Sequence, residues 1–131
     1  MALTNRNFDQ EERLLEYAAA IVRFTEGMTR TQAGIHVAGQ LLRSGTSALP
    51  NHGEAQAAES VADFVHKMSL CLKELRETRR WLRLAQRIPL VKSPMVIDPL
   101  LYETEELIRI FYSSIATAKK RTPGPKSRNE R

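Results

Sequence analysis

Four stretches of this chain repeat apolar residues at steps of three and four, the spacing that lays one stripe along a helix. In the first, Leu14, Leu15, Ala18, Ile21, Val22 and Thr25 form the stripe. Asp9 and Glu12 have the cap-x-x-acid spacing that satisfies a helix's first free amides, so helix one is expected to begin at Asp9 and close at Gly27. Met28 to Arg30 is a short connection, which favours an antiparallel neighbour, and Thr31 is placed to cap helix two. Helix two carries Ala38, Leu41, Leu42, Gly45 and Leu49 on its apolar side. Opposite them, Gln40, Arg43, Ser47, Asn51 and Glu54 follow at steps of 3, 4, 4 and 3 and make a polar stripe. Pro50 removes one amide donor and crowds the carbonyl of Thr46. The reading is a helix that bends at Pro50 and carries on toward Gln56, with a stop at Ser47 and a short turn as the competing possibility.

Ser60 and Asp63 repeat the capping spacing and open helix three, expected to run to about Arg87. Its main apolar stripe is Val61, Phe64, Met68, Cys71, Leu75 and Leu82, while Leu70, Trp81 and Leu84 fall on another side. A helix apolar on two sides has two things to cover, the core and something else. In so short a chain a neighbouring subunit is the expected cover. Ile88 to Pro99, with Pro89, Pro94 and Pro99, reads as one irregular loop; Asp98 is placed to cap helix four and Pro99 to fill its first turn. Leu100, Leu101, Leu107, Ile108, Phe111, Tyr112, Ile115 and Ala118 give helix four a broad apolar face. Thr122 to Arg131 lacks periodicity and is expected to be a disordered tail. There is no internal repeat and no segment that reads as a strand. The expected fold is all-α, an antiparallel up-and-down four-helix bundle over residues 1–121 followed by a basic tail, residues 122–131.

Length and composition sharpen this. A chain of 131 residues with 42% apolar content suits one domain around one core. Cys71 is the single cysteine, so no internal disulfide is possible and a reducing compartment is expected. The opening residues have no apolar run behind a basic head, and nothing approaches a membrane span. A soluble, cytoplasmic protein is the expectation. The net charge of +5 is unevenly placed: residues 1–118 hold 14 basic and 14 acidic residues, while residues 119–131 hold six basic residues against Glu130. The body is neutral and the tail is basic.

Candidate chemistry narrows accordingly. Di-iron bundles need two Glu-x-x-His pairs and further inward carboxylates. This chain offers only Asp63-Phe64-Val65-His66, and His36, His52 and Cys71 share no ligand spacing with it. Cys71 lies in an apolar stripe, where a thiol behaves as a small hydrophobe. Ser44, Ser47 and His52 share a region without a geometry that makes a triad. No glycine-rich phosphate loop is present. No enzyme and no cofactor are expected. The polar stripe reads instead as structural wiring, with Arg43 able to meet Glu74 or Glu77 of helix three, or the same residues of an adjacent subunit, because its planar fork holds a carboxylate at two points. Arg76, Arg80, Arg83 and Arg87 lie in a narrow arc of helix three, and Arg79 toward the apolar edge is expected to be paired. The bland reading of the arc is a solvated face balanced by Lys73, Glu74 and Glu77. The functional reading is a row of phosphate contacts, joined by Lys119, Lys120, Arg121, Lys126 and Arg128 at the tail. With no aromatic platform for stacked bases, contact with RNA or DNA is expected to be driven by charge and shape.

The order of these segments also resembles a known family. Gln40 to Ser47 is a Gln-Leu-x-Arg-Ser-x-x-Ser run, followed by Asn51 and Glu54, then by ADFVHK at 62–67 and LKELRETRRWL at 72–82. This series resembles the bacterial four-helix-bundle proteins named after the intervening sequences of 23S ribosomal RNA genes, over nearly all of residues 8–120. Ala48-Leu49-Pro50 is a departure from those relatives that have Gly or Ala near this point. The resemblance implies assembly as a cyclic homopentamer and a tie to ribosomal RNA. It also implies kinship with a branch of pentameric accessory proteins that hold a reverse transcriptase, for which a protein partner is expected. The family has no settled biochemical role.

Overall fold

The computed structural model describes residues 2–121, with side chains from residue 9 onward; the expected tail, Lys126 and Arg128 lie outside the described residues. Four helices follow in order: α1 (Ala2–Glu26), α2 (Gln32–Gln56), α3 (Val61–Arg87) and α4 (Ile97–Arg121), with a single 3-10 turn at Pro94–Val96 before α4. Each helix packs against its sequence neighbour, and α1 meets α4 more lightly. The chain is all-α and forms a four-helix bundle. Among the described residues the only extended pairing is an isolated bridge between Met28 and Val91.

The starts and stops follow local chemistry. Thr31 Oγ1 accepts from the Gly34 amide at 3.0 Å and caps α2; Ser60 Oγ accepts from the Asp63 amide at 3.0 Å and caps α3. Gly34 is required by a close approach, since a Cβ there would fall 2.1 Å from the Thr29 carbonyl oxygen. Helix α1 begins seven residues before the expected Asp9, which therefore lies inside it. Residues 2–13 contain no glycine or proline, so nothing stops the helix from extending past the capping signature. Helix α2 runs unbroken through Pro50, which excludes a stop at Ser47. Pro50 is on the exposed side, and buried Ala48, His52 and Ala55 hold the helix on either side of it. Helix α4 begins at Ile97, so Asp98 occupies its first turn rather than the cap and accepts from Gln86 Nε2 at 2.9 Å.

The core runs the length of the bundle through Leu14, Ile21, Leu41, Leu75, Leu82, Leu107 and Phe111, all nearly or fully sealed from water. On α1 the buried positions are Leu14, Tyr17, Ala18, Ile21 and Phe24, which leaves Leu15 facing out. On α2 they are Gly34, Val37, Leu41, Ser44, Gly45, Ala48, His52 and Ala55. Leu42, expected inside, is 43% exposed because the small residues Gly45 and Ala48 take the inner line and let α1 and α3 come close. Val61 and Tyr112 are likewise exposed; Val61 opens its helix and Tyr112 sits one step off the line of Ile108, Phe111 and Ile115.

Two pairs of hydrogen-bonding side chains cross between helices within this core. Thr78 Oγ1 is 2.8 Å from Ser44 Oγ and donates to the Glu74 carbonyl, which ties α2 to α3. Thr104 Oγ1 donates to the Leu100 carbonyl at 2.6 Å, so the phenol of Tyr17 supplies the proton for its 2.5 Å contact with that hydroxyl. Burial pushes the Tyr17 phenol well above its ordinary range, which keeps it a donor. At one end of the bundle the Thr29 amide donates to the Leu90 carbonyl at 2.8 Å, so the α1–α2 connection is joined to the α3–α4 loop. Met28, Leu90 and Val91 are buried beneath that join.

Candidate nucleic-acid interface

The polar stripe of α2 lies along its seam with α3. Arg43 donates to Glu74 Oε1 at 3.1 Å and also pairs with Glu77 Oε2, both within the same chain. Glu77 takes a further bond from Trp81 Nε1 at 3.1 Å, and these two donors hold its carboxyl below the usual carboxylate range, the indole first and the guanidinium second. Farther along, Lys67 Nζ meets Glu54 Oε1 at 2.7 Å, and Asn51 Nδ2 donates to the Ser47 carbonyl and hydroxyl at 3.0 and 3.2 Å. Gln40 is half-buried beside them. Arg43 and Glu54 thus tie the stripe to α3, while the Asn51–Ser47 bonds lie within α2. A matching staple joins α1 to α4, where Arg13 grips both oxygens of Glu103 at 2.6 and 2.8 Å.

The arginines of α3 have no such partners. Arg76, Arg80, Arg83 and Arg87 are exposed, and among the described residues no carboxylate pairs with them or with Arg79. Arg79 was expected to be paired, and it is half-buried without an ion pair. The helix explains this: the positions three and four residues from Arg79 are Leu75, Arg76, Leu82 and Arg83, none of them acidic. The one acid within reach of Arg80 on its own helix, Glu77, is taken by Arg43 and Trp81. Arg80, Arg83, Leu84, Gln86 and Arg87 line an open depression of about 510 Å³.

Lys119, Lys120 and Arg121 are exposed at the end of α4, and Arg121 lies beside Val61, where α3 begins. Helix α3 is 27 residues long, so roughly 40 Å separates these cations from Arg87. The two basic groups are therefore at opposite ends of the bundle.

Of the residues assigned to a subunit contact, Leu84 is exposed, Leu70 is half-buried, and Trp81 is half-buried with its ring edge-on to His36 at 5.9 Å. Ile35 and Leu42, seven residues apart on α2, are exposed as well, and the sequence reading missed both as surface groups. Among the described residues no three His, Cys, Asp or Glu side chains converge on a metal-sized space, and no helix is long and apolar enough to cross a membrane.

The fold and its unpaired arginine face define an all-α bundle protein with one strongly basic helix end. Residues 6–113 match the family described as 23S rRNA-intervening sequence protein, and the chain belongs to that family. It is similar to a crystal structure of a protein with unknown function from the S23 ribosomal protein family of Bacteroides thetaiotaomicron. That protein is 32% identical, with a TM-score of 0.74, over 80% of this chain and 96% of the other. Among curated proteins none matches.

Proposed function

We propose that this protein is a non-enzymatic, cytoplasmic scaffold that assembles with copies of itself and binds RNA or DNA by charge and shape. One observation carries the reading: five arginines within twelve residues of α3 lack an acidic partner among the described residues. Like charges stacked at helical spacing destabilise a helix unless something neutralises them. A phosphate backbone does so and releases its counterions in return. The depression among Arg80, Arg83 and Arg87 gives the phosphates a seat, and the cations at the far end of α4 add a second attachment about 40 Å away on the helical rise. No base-reading platform accompanies them, so affinity depends little on sequence. A cyclic homo-oligomer, with five members by family resemblance, would repeat the weak contact and strengthen it through shared attachment.

The test is binding of a 23S-derived RNA hairpin and an unrelated RNA of equal length, measured across a salt series. Both RNAs are expected to bind with similar affinity, and affinity falls steeply with salt. Arg83→Ala with Arg87→Ala lowers the log–log salt slope by about two. Removing residues 119–131 weakens binding several-fold and leaves the fold intact. Unchanged slopes in the arginine variant, or salt-independent binding, would overturn the reading.

A protein adaptor is the second reading, favoured by the exposed apolar groups Ile35, Leu42 and Leu84. Under it, a polypeptide such as a reverse transcriptase would be held with little dependence on salt.

A further inference from the structure

At the end of the bundle away from the joined loops, all four helices contribute to a cavity of about 440 Å³. Gln10 of α1, His52 of α2, Phe64 and Met68 of α3, and Phe111 and Arg121 of α4 line it. His52 is 2% exposed, and its Nδ1 has no hydrogen-bond partner; the same holds for the buried Nε2 of Gln10. The other ring nitrogen of His52 lies 3.3 Å from Gln56 Nε2. With the Gln56 amide nitrogen as donor, ring Nε2 accepts and Nδ1 carries the proton. The cavity therefore holds two buried N–H donors without an acceptor, an arrangement that native interiors rarely leave unfilled.

We propose that this cavity is a binding site for a small organic carboxylate with a short apolar body. The carboxylate supplies the acceptors that His52 Nδ1 and Gln10 Nε2 lack. Arg121, exposed at the last turn of α4, supplies the opposing charge at the rim. Phe64, Met68 and Phe111 are suited to the apolar body, and the volume lies in the range of small-ligand sites. Phe111 also stands edge-on to the His52 ring at 6.0 Å. Burial holds the His52 ring below its ordinary protonation range against a smaller opposing pull from the Glu11 carboxylate, so the imidazole is neutral and Arg121 is the cation that must outweigh Glu11. Gln56, Ser113, Ser114 and Thr117 complete the lining, so water competes for the same donors and the carboxylate must displace it.

The test uses the full chain without nucleic acid, so its result is independent of the scaffold reading. Hexanoate is titrated while the His52 ring is followed by nitrogen-detected NMR, with hexanamide as the uncharged control. A saturable shift of the His52 ring is expected, and hexanamide binds about tenfold more weakly because charge-assisted bonds are the stronger ones. Arg121→Gln lies on the surface and leaves the fold unchanged; it is expected to weaken hexanoate several-fold and leave hexanamide unaffected. His52→Phe keeps the ring's shape and abolishes the preference for the carboxylate. A ring that does not respond to hexanoate, equal binding of acid and amide, or nuclear Overhauser contacts from water alone would each overturn the proposal.

Discussion

Arg43 and Trp81 share one acceptor, the Oε2 atom of Glu77, although they sit on different helices. The indole is thereby held against the α2–α3 seam with His36 at its edge. Glu77→Gln keeps the shape and removes the charge. The single tryptophan then reports directly, and its emission is expected to shift to the red as the ring loosens. Stability falls by only about 0.5 kcal/mol, since exposed pairs are worth little. A Trp81 spectrum identical to the parent would show that the ring is held by packing alone.

Arg43→Ala leaves both Glu74 and Glu77 without their cation on the face that also carries Leu70 and Leu84. It is expected to weaken self-association, read as a shift to smaller species in sedimentation velocity. The monomer fold, followed by circular dichroism, is unchanged.

Gly45→Ala sets two effects against each other. Alanine in a helix interior gains about 1 kcal/mol over glycine. Its Cβ, however, would fall 2.7 Å from Ile21 Cγ2 and 2.9 Å from Cγ1. These atoms are branched at the β-carbon and cannot swing aside, and overpacking costs about 1–3 kcal/mol. The net expectation is a loss near 1 kcal/mol in urea unfolding. Ile21→Ala combined with Gly45→Ala is expected to lose less than the two single effects added together.

His52 makes stability depend on pH in a definite direction. Burial lowers its folded value from an ordinary 6.5, against a smaller opposing pull from Glu11. The unfolded chain therefore binds the proton first. The contribution is fully present above about pH 6.5 and is lost as the pH falls toward the folded value, by up to about 1.4 kcal/mol per pH unit. His52→Phe is expected to flatten that part of the urea-midpoint profile.

Cys71 is fully buried, its Sγ lies 3.6 Å from the Ala48 carbonyl, and burial pushes its thiol up to about 12. The thiolate needed for reaction is absent at neutral pH. Iodoacetamide is expected to leave the native protein unmodified for hours and to label it at once in denaturant. Rapid native labelling would mean that the α2–α3 interface opens locally.

The four helices were legible because their 3–4 spacing and two side-chain caps, Thr31 and Ser60, agree with each other. The start of α1 was not, because Asp9-x-x-Glu12 reads as a cap wherever it occurs and nothing upstream breaks the helix. Leu15, Leu42 and Tyr112 were placed on apolar faces drawn one residue too wide. The inner line of α2 instead goes to Gly45, Ser44 and Ala48, since close helix approach selects size over greasiness. The Ser44–Thr78 and Tyr17–Thr104 pairs have no sequence spacing and exist only across the bundle. The same is true of the separation between the α3 arginines and the α4 cations. Arg43 was the legible part of the site, since its helical stripe faced the one that carries Glu74 and Glu77. The cavity around His52 was invisible, as it combines seven residues of α4 with one or two from each of the other helices.

The bond from Thr29 to Leu90 has a dynamic consequence. It clasps two connections at one pole of the bundle, whereas at the other pole the α2–α3 turn has only its own local caps and the exposed Lys67–Glu54 pair, so breathing motions are expected to concentrate there. Amide exchange should quicken toward that loose pole, making it the gateway through which solvent and solutes pass between the helices.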